Sequence, residues 1–257
     1  MLAGRKALVT GSTSGIGLGI ARSLAARGAD VVLNGFGSDQ EVQALIKGFR
    51  DEFKVKVDYS PADLSKVPQI EELMLGPGRG VDILVNNAGI QHVSAVETFP
   101  IDMWDKVLAI NLSSVFHTTR LALPSMKSKD WGRIINVASV HGLVGSAEKS
   151  AYVASKHGVV GFTKVTALEL AKTGVTVNAI CPGWVLTPLV QKQIDAKAAA
   201  LKVSNAEAQR LLLQEKQPSL KFTTPAQLGE LAGFMSSDAA SEVRGVAWAV
   251  DGGWTAQ

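Results

Sequence analysis

Cysteine is nearly absent: Cys181 is the only one in 257 residues. A single cysteine closes no disulfide within the chain, so the fold must rest on its core, and a reducing compartment is expected. Neither sign of charge dominates, with 26 Lys and Arg against 23 Asp and Glu and a formal net charge of +3. The two signs interleave without a run of five or six like charges, which gives no footing for nucleic acid. No apolar run approaches the ~20 residues of a membrane span. The opening MLAGRKALVTGS has too few apolar residues before Thr10 to form a secretory signal. Short-period repeats and low-complexity segments are missing as well. A cytoplasmic protein with no nucleic-acid or membrane partner is expected.

What is present is a core. The chain is 46% hydrophobic and long enough for one large α/β domain. Short β-branched runs alternate with longer amphipathic ones. Residues 6–10, 30–34, 55–60, 82–87, 133–139, 175–181 and 246–252 read as strands, mostly solidly apolar. That pattern fits parallel strands covered on both faces. Helical periodicity spans 15–28, 39–53, 66–75, 101–127, 149–173 and 225–237. The alternation predicts βαβ units in a doubly wound parallel sheet. Residues 188–221, rich in Lys, Gln and Ala, interrupt the rhythm between strands six and seven. An insertion there lies beyond a strand's C-terminal end, where such folds bind ligands, so a helical lid is expected.

After the first strand comes TGSTSGIGLG, with Gly11, Gly15 and Gly17. Glycine lets a pyrophosphate approach the backbone, and the helix that follows offers free N–H groups. The strand–turn–helix context makes this a dinucleotide site, with Thr13 and Ile16 in the same turn. The second strand ends LNGFG, without the acid that would hold a ribose diol or an Arg for a 2′-phosphate. Asn34 is expected to bond the ribose and Phe36 to pack near it. The glycine loop holds no basic residue, so NAD is favoured over NADP. Asp63 and Leu64 follow the third strand and Asn87, Ala88 and Gly89 the fourth, all beside the same crevice.

Tyr152 and Lys156 are four apart and share one helix face. An ammonium beside a phenol is expected to pull its pKa down from about 10, making a general base. Ser139, at the end of the fifth strand, can bond the same substrate oxygen. Asn111 interrupts an apolar helix. TGSTSGIG, NNAG, YVASK and PGWVLTP together resemble the short-chain dehydrogenases/reductases along essentially the whole chain. The resemblance implies a single-domain Rossmann-type fold with a seven-stranded parallel sheet, and a homotetramer. It implies Asn111, Ser139, Tyr152 and Lys156 as the catalytic set. Pro182, Gly183, Val185 and Thr187 would border the nicotinamide.

His141 and Lys149 are potential cations near that tyrosine, and with the amides of Gln91 and Gln193 they suggest a small carboxylate substrate. If the helix begins early, Lys149, Tyr152 and Lys156 form one stripe. Trp184 and Trp254 can wall the pocket. NNAGIQH, ASVHGLV, EKSAYVASKHGVVGFTKV, EKQPSL and VDGGWTAQ resemble one bacterial group of the family, which acts on D-3-hydroxybutyrate. That resemblance implies a carboxylate held by Gln91, His141, Lys149 and Gln193, a methyl pocket shaped by Trp184 and Trp254, and oxidation to acetoacetate with NAD. No resident metal is expected. The alternatives are a reductase of 3-oxoacyl thioesters or another small ketone, and a non-catalytic nucleotide sensor.

Overall fold

The computed structural model describes residues 1–257, the side chain of Leu189 excepted. The strands are β1 (Lys6–Val9), β2 (Asp30–Asn34), β3 (Val57–Ser60), β4 (Ile83–Asn86), β5 (Gly132–Val137), β6 (Val175–Pro182) and β7 (Ala247–Val250). They form one seven-stranded sheet in the order β3-β2-β1-β4-β5-β6-β7. Every pairing is parallel, with Val9 opposite Leu33 on one side and Val85 on the other. All residues of β4, β5 and β6 are buried, which explains why those segments read as mostly apolar rather than alternating.

Helices α1 (Gly15–Ala26), α2 (Asp39–Phe53) and α9 (Pro225–Met235) pack one face, around Ile20, Phe49 and Leu228. On the other face lie α3 (Val67–Leu75), α5 (Ser114–Ser128) and α6 (Ser150–Glu169), around Ile70, Met126 and Ile134. Polar residues lock this second face. Thr118 Oγ1 donates to Asn86 Oδ1 at 2.7 Å, Asn86 Nδ2 to Asn136 Oδ1 at 2.9 Å, and Asn136 Nδ2 to Thr163 Oγ1 at 2.9 Å. This buried chain ties α5 and α6 to the middle of the sheet, each donor meeting an acceptor.

The helix expected over 101–127 is two helices. Between α4 (Ile101–Leu108) and α5 runs a π-helical turn, Ala109–Ser113, with Asn111 buried at its centre. The 188–221 insertion is a helical hairpin, α7 (Pro188–Leu201) and α8 (Asn205–Lys216). Val190, Ile194 and Ala198 pack on Ala208 and Leu212, with Trp184 and Phe222 at the margin. Among the described residues no helix is long and apolar enough to cross a membrane. The strand order reverses between β1 and β4, so the crevice beyond their C-terminal ends is where this architecture binds ligands.

Candidate active site

Two cavities meet in that crevice. The larger, about 430 Å³, runs from Phe36, Asp63 and Leu64 past the glycine turn to Tyr152 and Lys156. The turn is shaped for close approach to a ligand. Gly15 has φ +56, and a Cβ there would point toward Thr187 across the groove, with open space otherwise. A Cβ on Gly17 would collide with Gly11 O and the Asn87 amide, because α1 starts hard against the loop after β4. Asn87 fixes that contact by donating from Nδ2 to Thr10 O at 2.9 Å and Gly11 O at 3.0 Å. The first turn of α1 carries no acid, so its free amides meet an anion there without a competing negative charge. A glycine-lined groove ending on a helix N-terminus fits the pyrophosphate of a dinucleotide.

Thr13, Ile16, Ala88 and Gly89 line this groove as expected, and Ser14, Gly35, Ile90 and Pro188 join them. Asn34 departs from expectation. Its side chain is buried, donating to Ser60 O at 3.1 Å and Ala62 O at 3.0 Å and accepting from Gly11 N at 3.2 Å. It braces the turn and has no amide hydrogen left for a ribose. Phe36, by contrast, is 70% exposed at the groove's rim. Asp63 spends one oxygen on Ser65 N and Oγ, at 2.9 and 2.8 Å.

The smaller cavity, about 100 Å³, is lined by all six residues assigned to substrate: Gln91, His141, Lys149, Trp184, Gln193 and Trp254. Ser139 lies in its wall, and Tyr152, Ile16 and Thr187 belong to both cavities. Pro182, Gly183 and Val185, expected at the cofactor, line this smaller space instead, close to where the two join. Trp254 stands edge-on to His141 with ring centroids 5.4 Å apart, and 5.8 Å from Trp184. Asp251 holds Trp254 in place, accepting from Gly253 N at 3.0 Å and from Thr255 N and Oγ1 at 2.9 and 2.6 Å. Lys149 is the N-cap of α6 rather than part of its face, so the expected stripe with Tyr152 and Lys156 does not form. Its ammonium lies 5.5 Å from the centre of the Trp184 ring.

Lys156 is buried and donates to Val137 O at 2.8 Å, while its ammonium is 5.7 Å from the Tyr152 ring centre. Burial pushes its pKa down to about 8. The phenol does not behave as the residue pairing predicts. Burial raises the Tyr152 pKa above its ordinary value, and the neighbouring Ser139 hydroxyl only partly opposes this. Taking a phenolate out of water costs more than the Ser139 hydrogen bond returns, so in the chain alone the phenol is held above its ordinary range. His141 is also corrected. Burial and the nearby Lys149 push its pKa down to about 4, so at neutral pH it is an uncharged donor. Its Nε2 is buried without a partner, as is Trp184 Nε1. Lys149 is thus the one cation lining the smaller cavity, and no carboxylate lines that cavity among the described residues.

Asn111 closes the back of the site. Its Oδ1 accepts from Ile90 N at 2.8 Å, and its Nδ2 donates to Ile90 O at 2.9 Å and Ser155 Oγ at 3.2 Å. These side-chain bonds tie the π turn to the loop after β4 and to α6. Gln217, which the residue pattern does not single out, also belongs here: it accepts the Trp184 amide at 2.8 Å.

A donor-lined pocket opening onto a dinucleotide groove through a tyrosine can remove or return a hydroxyl proton while hydride moves. Comparison with known proteins agrees. Residues 5–198 match the model of the short chain dehydrogenase family. The chain is 62% identical to a D-beta-hydroxybutyrate dehydrogenase of Cupriavidus necator, with all of both chains covered. It is 50% identical to a protein of the same name from Rhizobium meliloti, over 98% of this chain and 99% of that one. Among solved structures, a variant of actinorhodin polyketide ketoreductase with NADPH superposes with a TM-score of 0.90 at 38% identity, over 97% of each chain. The chain belongs to the short-chain dehydrogenases, oxidoreductases served by a nicotinamide cofactor.

Proposed function

We propose that this protein interconverts D-3-hydroxybutyrate and acetoacetate with NAD. The observation that carries the reading is the half-buried Lys149 ammonium in a cavity of about 100 Å³ that holds no acid, beside an orphaned His141 Nε2. A buried cation without a counter-charge is unfavourable until an anion arrives. That anion must be small, because drug-sized pockets run to roughly 300–1,000 Å³. A hydroxy acid of four carbons, its carboxylate among Gln91, His141, Lys149 and Gln193, meets both demands. The identity to two proteins named for this substrate supports the same conclusion.

In this reading Trp184 and Trp254 enclose the methyl end, and Ser139 bonds the substrate oxygen. Tyr152 exchanges the proton with that oxygen. As a protonated phenol it is ready to donate to the ketone; to serve as base it needs more positive charge nearby. The groove that Tyr152 and Lys156 line would hold NAD, which in its oxidised form would supply the hydride acceptor and positive charge. Lys156, held by Val137 O, orients the dinucleotide, and Asn111 keeps the 89–91 turn and α6 in register. Phe36 at the rim, with no arginine among the groove residues, supports NAD over its 2′-phosphorylated form. Hairpin α7–α8 serves as the lid. The assembly is a homotetramer in this reading, and exposed Phe116, Val165 and Leu168 on α5 and α6 offer it an apolar subunit contact. A long 3-oxoacyl thioester is a poor fit for a cavity this small. The test is an NAD-linked absorbance assay with the two 3-hydroxybutyrate enantiomers. Turnover confined to the D form is expected; turnover of neither ends the reading.

A further inference from the structure

Gln217 follows directly on α8 and is 1% exposed. A buried amide is costly unless its donors and acceptor are bonded. Its Oε1 accepts the Trp184 amide hydrogen at 2.8 Å, and its Nε2 donates to Lys221 O. Two glycine turns leave room for it. A Cβ on Gly183, just past β6, would lie 2.6 Å from Gln217 Oε1. A Cβ on Gly252, just past β7, would lie 2.8 Å from its Cγ. One side chain therefore joins the end of the α7–α8 hairpin to both strand ends that carry the tryptophans of the smaller cavity.

Trp184 depends on this anchor. Its carbonyl accepts from Thr223 N at 2.9 Å, but its indole Nε1 has no partner. Its ring packs 5.8 Å from Trp254 and 5.5 Å from the Lys149 ammonium. A shift of the Trp184 backbone would move the methyl wall and the platform under the cation together.

We propose that Gln217 is a positioning residue for the substrate cavity, passing the placement of the α7–α8 hairpin to Trp184 and so to Lys149. The proposal rests on the substrate reading above. Its test is a double-mutant cycle in the full chain with Gln217→Met and Trp184→Phe. Met keeps an unbranched shape and removes both hydrogen bonds. Gln217→Met is expected to raise KM for D-3-hydroxybutyrate about tenfold while KM for NAD and kcat stay within about twofold, the scale of one buried neutral hydrogen bond. The near-ultraviolet circular dichroism of the indole pair should weaken without any ligand. In the Trp184→Phe background, Gln217→Met should add little, because the two act through one ring. Gln217→Glu, which keeps an acceptor for the Trp184 amide, should fall between wild type and Gln217→Met in both readouts, and it decides the matter if the Met variant unfolds. Additive effects on KM, an equal rise in KM for NAD, or an unchanged indole spectrum would overturn the proposal. Wild type inactive on D-3-hydroxybutyrate would sink the substrate reading instead, leaving the ligand-free spectrum to judge Gln217.

Discussion

Replacing Lys149 with methionine separates the cavity's charge from its shape. Methionine keeps an unbranched stem against Trp184 and deletes the ammonium. Within the cavity that ammonium has no acidic neighbour, and burial already pushes its pKa down. The fold thus holds a poorly solvated cation, and Lys149→Met is expected to raise Tm rather than lower it. Substrate binding should suffer. A hydrogen bond to a charged group contributes about 1.5–3 kcal/mol, which is about a 10- to 150-fold rise in KM for the acid. The assay is initial-rate NADH formation at saturating NAD with the acid varied, run beside butan-2-ol. The neutral alcohol has no carboxylate to lose, so its KM should not rise. A change in the acid's KM below about threefold, a loss under 1 kcal/mol, would refute the reasoning. So would a parallel rise for the alcohol.

Other outcomes follow from the same geometry. Tyr152→Phe should lower kcat by about 10²–10⁴, the usual worth of general acid–base catalysis, with NAD binding by fluorescence unchanged. His141 is buried neutral, with a folded pKa of about 4 against an ordinary value near 6.5. Between these values the unfolded chain holds the extra proton, so stability should fall as pH drops from about 6.5 toward 4, and His141→Gln should flatten that slope by up to about one proton in denaturant titrations. Asn111→Leu strands the Ile90 N–H and C=O and should cost about 1–3 kcal/mol by chemical denaturation; an unchanged midpoint would remove Asn111 as the brace of the π turn. Phe36→Arg places a guanidinium at the groove's rim and should raise kcat/KM with NADP while lowering that with NAD; an unaltered ratio would take position 36 out of cofactor choice.

Local patterns carried the strand–helix alternation, the glycine turn and the Tyr152–Lys156 pair, because each depends on neighbours within a few residues. The cavity's membership was legible too, since Gln91, His141, Lys149, Trp184, Gln193 and Trp254 do converge on it. Their energetics were not legible. Asn34 turned inward because the Ser60 and Ala62 carbonyls beside it needed donors, and those come from a different strand and loop. Asn111 is buried within its helix because the Ile90 backbone, from the loop after β4, bonds its amide there. The directions in which Tyr152 and His141 are pushed come chiefly from desolvation, which is set by everything packed around a group and by nothing in its own stretch of chain. The order of amino acids alone determined which side chains reach the crevice; only their packing decided which of them carries charge there.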